Sequence, residues 1–132
     1  MNVTRQAVSL LLLRLTIFFV MFMWTIDKIV NPQHAAGVFA HFYGLDGLSE
    51  IAFQTLGGLE LLLIAAFVVG VAKRWTYGAV LLLHAVSTLS SVPQYLAPFA
   101  PGNLLFFAAW PMLAGCATLY LLRSDDTLLV VP

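Results

Sequence analysis

Residues 7–30 read AVSLLLLRLTIFFVMFMWTIDKIV. A helix needs about 20 mostly apolar residues to cross the hydrocarbon layer of a bilayer, and this stretch meets that length with one cation, Arg14, inside it and an Asp27-Lys28 pair at its far end. Arg5 precedes the run much as a signal peptide's basic region would. Arg14 interrupts the apolar stretch early, however, and no small-x-small cleavage site follows before Ile26, so the segment reads as a retained transmembrane helix.

Three further stretches meet the same criterion, residues 51–71, 75–92 and 104–122. Lys73-Arg74 separates the second from the third, and Pro93, Pro98, Pro101 and Gly102 separate the third from the fourth. Within lipid every backbone N–H and C=O must be paired inside its own segment, which selects helices. The expectation is an all-α fold in one domain, residues 1–132, an integral membrane four-helix bundle. Composition agrees: 61% of residues are hydrophobic and 9% charged, against about 25% charged in ordinary soluble chains. Six basic residues balance six acidic ones, so charge gives no sign of a nucleic-acid partner. Cys116 is the only cysteine, which excludes an internal disulfide and a CxxC site.

Arg5, Lys73, Arg74 and Arg123 fall on one side of a four-span arrangement, and the other side has only Lys28, at the end of span one. The positive-inside rule then puts both termini and the turn at 72–76 in the cytoplasm. The localisation implied is a multi-pass protein of a bacterial or archaeal cytoplasmic membrane. Tyr43, Trp75, Tyr77, Tyr95 and Tyr120 fall near the expected interfaces, as an aromatic belt does. The tail from Ser124 onward carries a Leu128-Leu129-Val130-Val131 run, expected to pack on the membrane face or on a partner.

Between spans one and two, Asn31-Pro32 is a helix start and Gly44 a stop. Ala35, Val38, Phe39 and Phe42 recur at helical spacing, which predicts a short amphipathic helix in the interface or folded back on the bundle. His34 and His41 lie on this helix. Seven residues of helix separate their Cα atoms by about 10 Å, too far to share a metal without a bend or a second chain, so interfacial histidines are the simpler reading.

Ionisable side chains inside a span cost roughly 2.5–3.5 kcal/mol at its centre, so they face the bundle interior and take partners. Arg14, Phe18, Met21, Thr25 and Lys28 form one heptad seam of span one. Span two carries Gly57-Gly58 and Glu60. Span three carries a polar stripe of His84, Ser87, Thr88 and Ser91, with Tyr77 on the same seam, and span four carries Trp110-Pro111 with a small pair, Ala114 and Thr118. At 1.5 Å per residue, Glu60 and His84 lie about 16 Å and 13 Å from the cytoplasmic ends of their spans, and Arg14 about 10 Å. This predicts a buried cluster of Arg14, Glu60 and His84 with Ser87 and Thr88 above it, and Asp27 and Lys28 at the outer mouth. The cluster is either a set of interhelical ties, typically below about 2 kcal/mol each, or a ligand and proton site. A carboxylate and an imidazole in low dielectric exchange protons near neutral pH, as reduction of a quinone requires. Phe18, Phe106, Phe107 and Trp110 offer flat apolar walls for such a ligand.

Leu13-Arg14-Leu15, Asp27-Lys28-Ile29, Gly57-Gly58-Leu59-Glu60-Leu61 and the basic turn Lys73-Arg74 resemble the DoxX-like membrane proteins. The resemblance implies a four-helix bundle, marks Arg14, Lys28 and Glu60 as characteristic positions, and points to an accessory subunit of a redox complex, since some relatives are quinone-linked oxidoreductase subunits. Partners would be the lipid bilayer and other membrane subunits or further copies of the chain. Two other functions stay open: a non-catalytic assembly or scaffold subunit, and a small-solute or proton pathway along the His84–Ser91 stripe of an oligomer. An autonomous enzyme is not expected, because no nucleotide loop, nucleophile–base pair or pair of intramembrane haem-ligating histidines is present.

Overall fold

A computed structural model describes residues 3–44 and 50–131. Among them every regular element is helical: α1 (Arg5–Val30), α2 (Pro32–Tyr43), α3 (Glu50–Val68), α4 (Lys73–Ser90), α5 (Val92–Leu96), a 3-10 segment (Asn103–Ala108), α6 (Ala109–Leu121) and a 3-10 turn (Arg123–Asp125). Four long helices pack side by side, α1 against α3 and α6, and α4 against the same two.

Local chemistry sets the boundaries. The Thr4 hydroxyl accepts the Ala7 N–H and starts α1. Asn31 ends α1 by donating its N–H to the Asp27 carbonyl and is also the cap residue of α2, whose first residue is Pro32. Gly44 closes α2 in the left-handed region, φ 65°. Of the two places expected for α2, it takes the fold-back: it packs on α1 and α3 with Ala35 buried, and Phe39 meets the Phe53 ring edge-on at 5.1 Å. The expected contributions of Tyr43 to the belt and of Phe42 to the helix face lie in side chains outside the described set.

Residues 51–71 do not form one helix. α3 ends at Val68, and the turn to α4 uses positive φ at Gly70 and Ala72. The fourth apolar stretch changes winding at Ala108/Ala109, two residues ahead of Pro111, which lacks the N–H that an α-helix would give to the Phe107 carbonyl.

The buried seam of α1 is Ala7, Leu10, Arg14, Ile17, Met21 and Thr25. It meets Ile64 and Phe67 of α3, Tyr77 and Val80 of α4, and Cys116 and Leu119 of α6. The exterior is apolar: Leu12, Phe19, Leu62, Leu82, Leu89, Leu105 and Leu121 are exposed, while Arg14, Thr25, Thr88 and Asp126 are fully buried. At roughly 25 cal/mol per Å2 such a surface is costly in water, and it suits contact with acyl chains. Three helical segments are long and apolar enough to cross a membrane, Arg5–Val30, Ile51–Val68 and Asn103–Leu121. The expected third span, now α4, falls short in composition rather than length, because it opens on Lys73-Arg74 and keeps Thr76, His84 and Thr88 on its buried face.

Candidate functional site

The polar residues of the bundle fall into three groups, and the expected Arg14–Glu60–His84 cluster is not among them. The first lies at the end that carries Arg5, Lys73, Arg74 and Arg123. Arg14 is 0% exposed and donates from Nη1 to Asp126 Oδ1 at 2.6 Å. Its Nη2 donates to the carbonyls of Leu128 (2.6 Å) and Leu129 (3.1 Å). The other Asp126 oxygen accepts the Tyr77 hydroxyl at 2.5 Å, and Lys73 Nζ donates to the backbone carbonyls of Asp126 and Arg123. Burial lowers the Lys73 pKa from its ordinary 10.5; Asp126 opposes this and Arg14 adds to it.

Three expectations are corrected here. Arg14 is the shallowest of the three expected partners, so the acid it meets comes from its own end of the bundle. Tyr77 is buried against Asp126 instead of joining the interfacial belt. The tail turns its Leu128 side chain inward and lies across the end of the bundle, leaving Leu129 and Val131 exposed.

The second group lies toward the opposite end. Lys28 Nζ donates to Glu60 Oε2 at 3.1 Å, and the Thr25 hydroxyl reaches the same oxygen at 3.3 Å. Lys28 therefore pairs across to α3, while the neighbouring Asp27 turns to His34, whose Nδ1 lies 2.5 Å from its Oδ2. His41 Nε2 faces Gln94 Nε2 at 3.3 Å. So the two histidines of α2 take separate partners, and among the described residues no group of three His, Cys, Asp or Glu is placed to hold a metal ion.

The third group centres on His84, 2% exposed on the inner face of α4. Its Nε2 lies 2.9 Å from the Ala109 carbonyl. A carbonyl only accepts, so Nε2 carries a hydrogen and the neutral ring presents Nδ1 as an acceptor. That Nδ1 is buried and has no partner. Trp24 of α1 stacks beside the imidazole, centroids 6.1 Å apart. Beyond Ala109, Tyr95 packs against Phe107 and Trp110 at 5.3 and 5.4 Å. Above His84, toward the Ser90 end of α4, the Thr88 hydroxyl donates to the His84 carbonyl and the Tyr95 hydroxyl to the Thr88 carbonyl. Ser87 is half-buried, and its carbonyl accepts the Ser91 hydroxyl.

Comparison with family models, curated proteins and solved structures finds no match. The site thus stands on its own geometry.

The expected close approach through Ala114 and Thr118 shifts by one residue. Gly115 faces α1, where a Cβ would meet Leu13 and Ile17 at 3.3 and 3.4 Å, and Ala114 is exposed. Sequence reading also missed Asp126 and Trp24. The signal for Asp126 was depth: it is an acid just past the fourth apolar stretch, at the end where Arg14 is shallow. No sequence signal distinguished Trp24 from the other aromatics of α1.

Proposed function

We propose that the chain is a multi-pass membrane protein whose four long helices all cross the bilayer, with its basic end in the cytoplasm. In this reading it serves as an accessory subunit of a redox complex, as the likeness to DoxX-like proteins suggests, and takes a quinone head group beside His84. For α4 the support is the side-chain distribution: Leu82, Leu83, Val86 and Leu89 face outward while its polar residues are inside, so its average composition understates how apolar its outer face is. For the ligand, the carrying observation is the unpartnered Nδ1 of buried His84. A protonated ring would donate from Nδ1 to a quinone carbonyl, and a neutral ring would accept from a quinol hydroxyl. Trp24 supplies a flat surface beside the ring, and Phe107 and Trp110 flank in sequence the Ala109 whose carbonyl the ring meets. The quinone, when bound, supplies the electron-accepting chemistry; the chain's part is to orient it, exclude water and hold a proton at Nδ1.

His84→Gln tests this. Gln keeps an N–H for Ala109 and lacks an equivalent of Nδ1. The protein recovered from native membranes in mild detergent is expected to keep its melting midpoint and lose bound quinone, with quinone-linked turnover of its complex falling at least roughly tenfold. Unchanged quinone content and turnover would reject the site.

The paired charges favour a second reading. Arg14 with Asp126 and Lys28 with Glu60 are closed within the chain, as a scaffold subunit without chemistry needs. That reading expects His84→Gln to alter neither turnover nor partner recovery.

A further inference from the structure

We propose that residues 123–131 form a strap that locks the bundle by holding the charge of Arg14. Arg14 lies well inside α1 and is fully buried. Its hydrogen bonds all go to the strap: Nη1 to the Asp126 carboxylate and Nη2 to the Leu128 and Leu129 carbonyls. Its Nε is buried without a partner, and the Tyr77 hydroxyl of α4 beside it carries no charge. The described acids of the helices, Asp27 and Glu60, are engaged elsewhere, so among the described residues no helix supplies a carboxylate in place of Asp126 if the strap leaves. An arginine stranded in that position is an uncompensated buried charge, which is far more costly than a lost surface contact.

The strap is built to close there. Asp126 is satisfied on every oxygen, by Arg14, by the Tyr77 hydroxyl and, at its backbone carbonyl, by Lys73. The Val131 N–H then donates to the Val69 carbonyl at 2.7 Å. Val130 packs over Gly70, where a Cβ would come within 2.6 Å of it. Leu128 points in and Leu129 out, and Leu129 makes the turn at φ 51°, a conformation that a residue with a branched side chain rarely adopts. Such strain persists only where surrounding contacts fix it. The lock joins positions 112 residues apart, and during synthesis it closes after all four long helices have been made. Until then Arg14 has no acid at its depth. The strap makes the folded bundle conditional on its own closure.

The test separates the charge from the packing. Asp126→Ala in the full chain, and a chain ending at Leu122, are each expected to melt at lower temperature in mild detergent and to be cut by thermolysin at least tenfold faster. Adding Arg14→Leu to the shortened chain is expected to restore most of the melting midpoint, and Arg14→Leu/Asp126→Leu in the full chain to melt close to the unaltered protein, above either single variant. If the shortened chain melts like the full one, or if Arg14→Leu gives no recovery in it, the strap is surface packing and the lock is refuted. Should the shortened chain fail to accumulate, the full-length double variant decides alone: additive losses overturn the proposal and compensation supports it.

Discussion

Gly57 and Gly58 are neighbours in α3 with opposite surroundings. A Cβ on Gly57 would sit 2.6 Å from Ile29 Cγ1 and 3.4 Å from the Thr25 carbonyl, whereas one on Gly58 meets nothing within 4 Å. Gly57→Ala must displace the Ile29 side chain of α1 beside the Lys28–Glu60 pair, and overpacking of this kind costs about 1–3 kcal/mol. Gly58→Ala is expected to leave stability unchanged or to raise it by up to about 1 kcal/mol, since alanine orders a helix better than glycine. Thermal melts of the two variants side by side check the asymmetry. The glycine pair was legible in the sequence, but not which member bears the contact, because that depends on the rotation of α3 about its axis. The same limit hid the partners of Arg14. Spacing put it on the buried seam of α1, and the seam is buried. Its partner follows from depth and from the path of the chain after α6, and helix periodicity is silent on both. His84 lies on the buried face of α4 and is taken by a backbone carbonyl, whereas Glu60 is only half-buried and is taken by Lys28 one helix away.

Among the elements, α1, α3 and the stretch from 103 to 121 were legible because long apolar runs dominate them. α4 was legible as a helix and harder to read as a span, for the polar stripe that makes it interesting lowers its mean hydropathy. The strap was the least legible, since Ser124, Asp125, Asp126 and Thr127 read as a solvated tail until Arg14 is known to lie behind them. Its seat depends on Gly70, which has φ 74° and receives Val130. Gly70→Ala therefore combines backbone strain with a clash, and is expected to cost about 1–3 kcal/mol. It should free residues 128–131 before the helices melt, which amide hydrogen exchange of the strap against that of α1 will detect. Equal loss of protection in both would mean that the strap has no separate stability.

At the scale of the whole molecule, the distribution of residues is inverted relative to a water-soluble domain: an arginine, an aspartate, a histidine and threonines are inside, and leucines and phenylalanines cover the outside. Arg5, Lys73, Arg74 and Arg123 lie at one end of the chain's helices, and the positive-inside rule makes that the cytoplasmic end in the reading proposed above. What is proposed for His84 as a membrane ligand site requires that α4 cross the bilayer with the other three. Only α4 and the short helix α5 stand between Arg74 and Gly102 as regular elements. The direct measurement is labelling of Arg74→Cys and Gly102→Cys, each made in a Cys116→Ala background, with a membrane-impermeant maleimide on intact cells and on inverted vesicles. The result predicted is opposite sidedness, Arg74→Cys reacting only from the cytoplasmic face and Gly102→Cys only from the other. Reaction of both from the same face would mean that α4 does not cross, and would contradict the four-helix membrane bundle on which the functional reading rests.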